Sequence, residues 1–322
     1  PRLTYIRDTG ADGTVGVTAM VAVTPESLAF VFVAGLITAL ATGLGALPFF
    51  LFDDISDRWN VVLWGVASGI MLAASGFGLF AEGLAASDGL PTMLVLGLAA
   101  GVALVIVADR MLHRLDVGGH GHSGDAHADA PADHAYDGGR PVDEDEDEDA
   151  VLAEAVARGD YRTLVLILGI LTVHSFPEGV AIGVSFADIG LAGGARVLGV
   201  AVPLLAVFMT VAISIHNIPE GTAIAIPLRS LGVGEWRMVG AAVFSSLPQP
   251  IGAVIAFAFV RWARAFLPFG FGFAAGAMVY LVLTEFVPEA LDLGADLPGG
   301  GRRELAAGVA AGVALMLPLL VV

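Results

Sequence analysis

Two short motifs in this chain place a histidine four residues ahead of a glutamate. They read His174-Ser175-Phe176-Pro177-Glu178-Gly179 and His216-Asn217-Ile218-Pro219-Glu220-Gly221. On a helix, positions i and i+4 share one face, about 6 Å apart along the axis. Each motif therefore pairs an imidazole with a carboxylate. Two copies supply four ligands, enough for tetrahedral Zn²⁺; Fe²⁺, Mn²⁺, Co²⁺ and Cd²⁺ accept the same donors in adjusted geometry. Histidine binds a metal only when neutral, so affinity should fall as the pH drops towards its pKa. The competing account makes each His–Glu pair a buried hydrogen bond that merely ties helices together. Recurrence of the whole motif favours the ligand account.

The elements that carry these motifs read as membrane. Hydrophobic residues form 57% of the 322, and mean hydropathy is +0.83. Apolar runs long enough to cross about 30 Å of hydrocarbon recur along the chain. Eight are expected, at Ser27–Phe52, Asn60–Leu84, Thr92–Leu112, Thr163–Ala187, Leu198–Leu228, Arg237–Val260, Pro268–Leu291 and Glu304–Val322. They are continuously apolar rather than alternating, which predicts helices and not barrel strands. The expected fold is all-α, a polytopic eight-helix membrane bundle. A glutamate inside such a bundle costs several kcal/mol unless something compensates it. Pro177 and Pro219 each leave a backbone carbonyl without its helical donor, as suits a polar cavity. The two motif spans are consecutive and antiparallel, which gives the bundle inverted-repeat character with the site at the repeat interface.

The remaining composition excludes several classes. There is no cysteine, hence no disulfide, thiolate zinc site or thiol redox chemistry. The net charge of −17, with an unbroken acidic run at Asp143–Asp149, disfavours nucleic acid as a partner. All 15 basic residues are arginine. Their distribution over short loops favours both termini outside the cell membrane. Residues 1–24 read as an external tail without signal-peptide features, and Thr24-Pro25 as the cap and first position of span one. Residues 25–112 then hold spans one to three, and residues 162–322 spans four to eight. Between them lies a flexible cytoplasmic loop, residues 113–161, rich in Gly, Asp and His. Its His113, His120, His122, His127 and His134 either bind metal loosely or are incidental to a solvated linker.

On the two motifs, the first-span Thr38-Ala39-Leu40-Ala41-Thr42-Gly43-Leu44-Gly45, the His-bearing loop and a 3+2+3 layout, the chain resembles the ZIP (Zrt/Irt-like) family of divalent-metal transporters. The likeness is to its GufA-like prokaryotic branch. That resemblance implies that His174, Glu178, His216 and Glu220 bind transported metal, with Asn217 nearby. It further implies a homodimer in the lipid bilayer and an elevator-like movement of spans one, four, five and six. Two positions depart from the family pattern. Ser175 stands where Asn is common, and Gln249 stands where a Glu often contributes to a second metal. Both still offer neutral oxygens, but one negative charge is lost. The resemblance also puts Met71 beside the primary site and Glu285 near the metal route. Without it, Met71 reads as core filling and Glu285 as an interfacial carboxylate.

The leading function is therefore uptake of Zn²⁺ or a similar divalent ion by alternating access, with no organic cofactor and no catalytic residue. Two alternatives belong to other classes. A metal sensor or receptor would use the loop histidines, and a membrane metallohydrolase would need a retained metal with an open position for water. The His-Glu-x-x-His signature of zinc proteases is absent.

Overall fold

The structure, a computed structural model, describes residues 23–51, 55–87, 89–116, 175–191, 194–230 and 232–320. His174, most of the His-bearing loop and the first half of the expected fourth span lie outside them. Among the described residues five helical segments are long and apolar enough to cross a membrane: Pro25–Leu44, Asp57–Ala85, Leu204–Ile226, Glu235–Trp262 and Arg264–Leu293. Thr92–Ala108 is a shorter apolar helix.

Helix α1 (Pro25–Leu44) starts as its sequence predicts. Thr24 caps it, accepting from the Ser27 amide while the Ser27 hydroxyl accepts from the Thr24 amide, and Pro25 takes the first turn. The helix stops earlier than the apolar run, giving way to a 3₁₀ turn at Leu47–Phe50 that begins beside Pro48. Helix α2 (Asp57–Ala73) passes through a π-helical stretch, Ala74–Phe80, into α3 (Ala81–Ala85). Helix α4 (Thr92–Asp116) runs past His113, where the loop was expected to begin. Helix α5 is described over residues 175–185.

Where an apolar run suggested helix from Leu198, a two-stranded hairpin forms instead. Strands β1 (Ala195–Val197) and β2 (Val200–Val202) pair antiparallel around Leu198-Gly199, both at positive φ. Val and a tight turn win over the helical run here, and Pro203 ends the strand. Helix α6 (Leu204–Ser230) follows and passes through Pro219 unbroken. The sixth span is two helices, α7 (Glu235–Ser245) and α8 (Pro248–Trp262), because Pro248 and Pro250 have no amide to continue the ladder. Helix α9 (Leu267–Leu281) reaches α10 (Val287–Leu293) through a second π-helical stretch, Val282–Phe286. Helix α11 (Arg302–Leu320) completes the described chain.

Packing sorts these helices into two bundles. In the first, α1 lies against α6, α7 and α8, and α5 lies against α8. In the second, α4 lies against α9, and α2 against α10 and α11. Glycines let backbones touch within each bundle. A Cβ on Gly69 of α2 would stand 2.3 Å from the Val309 carbonyl oxygen of α11. The bundles meet mainly along α2 and α6, over the largest apolar core, which takes Val31, Met71, Leu94, Ile182, Met209 and Phe271 from both sides. Contacts at this boundary are softer. The three atoms nearest a Cβ on Gly78, in the π-helical stretch after α2, all belong to side chains, those of Phe208, Met209 and Leu205.

Candidate metal centre

Both motif segments that the structure describes belong to the first bundle. Gly221 and Gly179 bring them close to their neighbours. A Cβ on Gly221 would stand 1.8 Å from the Thr42 carbonyl oxygen of α1, and one on Gly179 2.4 Å from the Gln249 carbonyl oxygen of α8. The motif glycines thus seat α6 on α1 and α5 on α8, which fixes the faces that carry the ligands.

Glu178 of α5 meets His216 and Glu220 of α6. One ligand atom from each residue lies within 4.8 Å of the other two. Glu178 and His216 are 4% and 1% exposed, and Glu220 is half-buried. His216 Nε2 stands 3.1 Å from Glu178 Oε1. Two ligands of one tetrahedral zinc, each bonded at 2.0–2.1 Å, are separated by about 3.3 Å. The imidazole–carboxylate pair already has that spacing, and Glu220 holds a third donor within 4.8 Å of both.

A hydrogen-bond network holds the carboxylate from behind. Gln249 Nε2 donates to Glu178 Oε2. Gln249 Oε1 accepts from Thr38 Oγ1 at 2.7 Å and from Asn217 Nδ2 at 3.1 Å, and Asn217 Nδ2 also donates to the Thr38 carbonyl at 2.8 Å. Asn217 Oδ1 is buried and makes no hydrogen bond. An orphaned amide oxygen beside a carboxylate pair fits a cation better than it fits a purely structural bond.

The second bundle supplies the facing wall. Phe286 of the π-helical stretch stacks on His216, centroids 5.3 Å apart at 20°, and Trp64 of α2 packs on Phe286 at 5.0 Å. The backbone carbonyl of Ala67 also faces the His216 ring.

Of the other residues singled out from the sequence, Asn217 and Gln249 join the network around Glu178. Ser175 donates to the Ser245 carbonyl at 3.2 Å, one residue before the α7–α8 break. Met71 is fully buried in the shared core on α2, and Glu285 is half-buried next to Phe286, outside the three-ligand cluster. His174 lies outside the described residues. Thr38 entered the sequence reading only as part of the first-span motif, with no role at the site, and no role was assigned to Trp64 or Phe286. A threonine in an apolar span was the available signal for the first. The aromatic pair carried none, since Phe and Trp in a membrane helix ordinarily face lipid or core.

A multi-pass helical bundle that buries an imidazole beside two carboxylates defines a class: an integral membrane protein with a candidate cation site among its helices. Comparison with known proteins narrows it further. The profile of the ZIP zinc transporter family matches residues 18–319, and the chain belongs to that family, one of transporters and not of enzymes. It is similar to zinc transporter GufA of Myxococcus xanthus, 30% identical over 292 residues, 89% of this chain and 96% of that protein. Zinc transporter ZIPB of Bordetella bronchiseptica is 32% identical over 277 residues, 86% of this chain and 76% of its own length. A longer Arabidopsis thaliana relative is 35% identical over 252 residues, and the match spans 78% of this chain but only 33% of that protein.

Proposed function

We propose that this protein carries divalent transition-metal ions, Zn²⁺ foremost, into the cytoplasm through the Glu178/His216/Glu220 site, with His174 completing the ligand set. The observation that carries this reading is the cluster itself: two carboxylates and an imidazole brought within 4.8 Å inside apolar helices. Carboxylate and imidazole exchange a borderline cation more readily than thiolates do, and the chain has none of the latter. The zinc named for the Myxococcus and Bordetella relatives supports Zn²⁺ as cargo. Fe²⁺, Mn²⁺, Co²⁺ and Cd²⁺ suit the same donors, and no organic cofactor enters. In this reading Met71 stands beside the site and Glu285 near the metal route.

Movement is by alternating access. All three described ligands sit on the first bundle, while the aromatic wall against His216 belongs to the second. A rigid ligand-bearing bundle that slides past a side-chain surface exposes its cargo to one side and then the other. Backbone-tight contacts within each bundle and softer ones between them favour motion at that boundary. The full arrangement in this reading is eight spans in a 3+2+3 order, both termini outside, the His-bearing loop inside and a homodimer in the bilayer.

Flux into proteoliposomes tests the proposal, with Zn²⁺, Fe²⁺, Mn²⁺ and Cd²⁺ compared for wild type and Glu220→Ala. Saturable Zn²⁺ flux that the substitution abolishes is the expected result. Absence of flux for every ion, with metal still held at the site, would overturn it.

A further inference from the structure

Glu178 and Glu220 together offer four carboxylate oxygens, enough for one ion or for two that share a bridging carboxylate. Hydrogen bonding and charge decide between these. Gln249, at the second position of α8, has no solvent exposure. Its orientation is fixed by its neighbours. The Asn217 amide nitrogen can only donate, and so the Gln249 oxygen must face it and its nitrogen must face Glu178. Two consequences follow. The Gln249 oxygen already accepts from Asn217 and from the Thr38 hydroxyl, whose one proton is shared with the Gly35 carbonyl. And an N–H is aimed at Glu178 Oε2, where a bridged second cation would have to sit.

Charge gives the same answer. Two ionised carboxylates and one divalent ion sum to zero, the state that low-dielectric surroundings favour. A second divalent ion would leave two uncompensated positive charges in the bundle, and an uncharged amide at 249 does nothing to offset them.

Resting on the transport reading above, we propose that Gln249 makes this a one-ion centre. Its carboxamide takes the place beside Glu178 that a second cation would need, and it leaves Glu178 Oε1 and His216 Nε2 to a single ion. Gln249 is thereby a positioning residue that sets how many ions the site holds.

The test counts Cd²⁺ bound per chain by full-length protein in nanodiscs. The double variant Glu178→Ala with Glu220→Ala, which removes both carboxylates, serves as the blank, so that ions held elsewhere, including by loop histidines, cancel. Wild type should exceed the blank by one Cd²⁺, and Gln249→Glu should exceed it by two. A wild-type excess of two would overturn the inference, and so would a Gln249→Glu excess of only one. A wild-type excess of zero would instead overturn the transport site itself, a separate and recognisable failure. Should Gln249→Glu not fold, Cd-edge X-ray absorption of saturated wild type decides. A metal–metal vector at about 3.5–4 Å would refute a one-ion centre, and its absence is the result expected.

Discussion

Glu178 and Gln249 meet as carboxylate and amide on helices α5 and α8, while His216 approaches the other carboxylate oxygen from α6. One ligand is thus held by two neighbouring helices before any ion arrives. A hydrogen bond to a charged group contributes about 1.5–3 kcal/mol, which offsets part of the cost of burying Glu178 within a membrane. The first bundle is preorganised around this contact.

Thr38 is the outermost support of that arrangement, since its hydroxyl proton is shared between Gln249 Oε1 and the Gly35 carbonyl. Thr38→Val keeps the shape and removes the donor. Outer-shell changes of this kind typically weaken metal affinity 10–100-fold. With the Asn217 bond to Gln249 still in place, about a tenfold weaker Cd²⁺ affinity is expected, with little change in melting temperature. Competition binding in detergent measures the first, and a thermal scan the second. Unchanged affinity would detach Thr38 from the site.

Phe286 tests the wall. It stacks on His216 from the second bundle and is itself braced by Trp64. Phe286→Ala opens space beside the imidazole and admits water. Because Phe286 is only half-buried, the stability loss should fall below the 3–5 kcal/mol typical of core Phe→Ala changes, at about 2 kcal/mol. Phe286→Tyr, which keeps the ring, should retain flux within about twofold, whereas Phe286→Ala should lose it about tenfold in the proteoliposome assay. Equal flux in both variants would show that the ring plays no part in holding His216.

Much of this was legible in the sequence. Repeated His–Glu spacing singled out Glu178, His216 and Glu220; i, i+4 spacing puts His216 and Glu220 on one face of α6, and the glycine seats of α5 and α6 bring Glu178 to that face. Thr24-Pro25 announced the start of α1. Hydropathy could not show where a span breaks: the runs around Leu198 and Ser246 are apolar enough for helix, but a tight Leu-Gly turn and two prolines decide otherwise. Nor could it show Gln249 gripping Glu178, since 71 residues separate them and only the packing of α5 on α8 joins them.

Gly221 separates a packing role from a ligand role within one motif. A Cβ there would fall 1.8 Å from the Thr42 carbonyl oxygen, whereas nothing lies within 4 Å of a Cβ added at Gly240. Gly221→Ala should therefore force α6 off α1 and cost about 3 kcal/mol or more, while Gly240→Ala should be tolerated. The monodisperse fraction on size exclusion and the melting temperature report the difference. If both variants behave like wild type, the α1–α6 seat is not as tight as the backbone contact requires.

Relative motion of the bundles can be tested directly, because the chain has no cysteine to interfere. Thr42 and Ser246 lie in the first bundle with their hydroxyl oxygens 2.7 Å apart. Thr42→Cys with Ser246→Cys therefore places two sulfurs within reach of each other without bridging the boundary. Gly78 and Phe208 lie on opposite sides of it, a Cβ on Gly78 standing 3.0 Å from the Phe208 ring. Gly78→Cys with Phe208→Cys, joined by a short bifunctional thiol reagent with a reducible linker, ties the π-helical stretch after α2 to α6. If the bundles slide past one another during transport, the cross-bundle link should abolish Zn²⁺ flux and reduction should restore it. The link inside the first bundle should leave flux within about twofold, since a moving rigid body carries its internal bonds with it. Flux that survives the cross-bundle link would rule out movement at this boundary and shift the access step to smaller changes around the site.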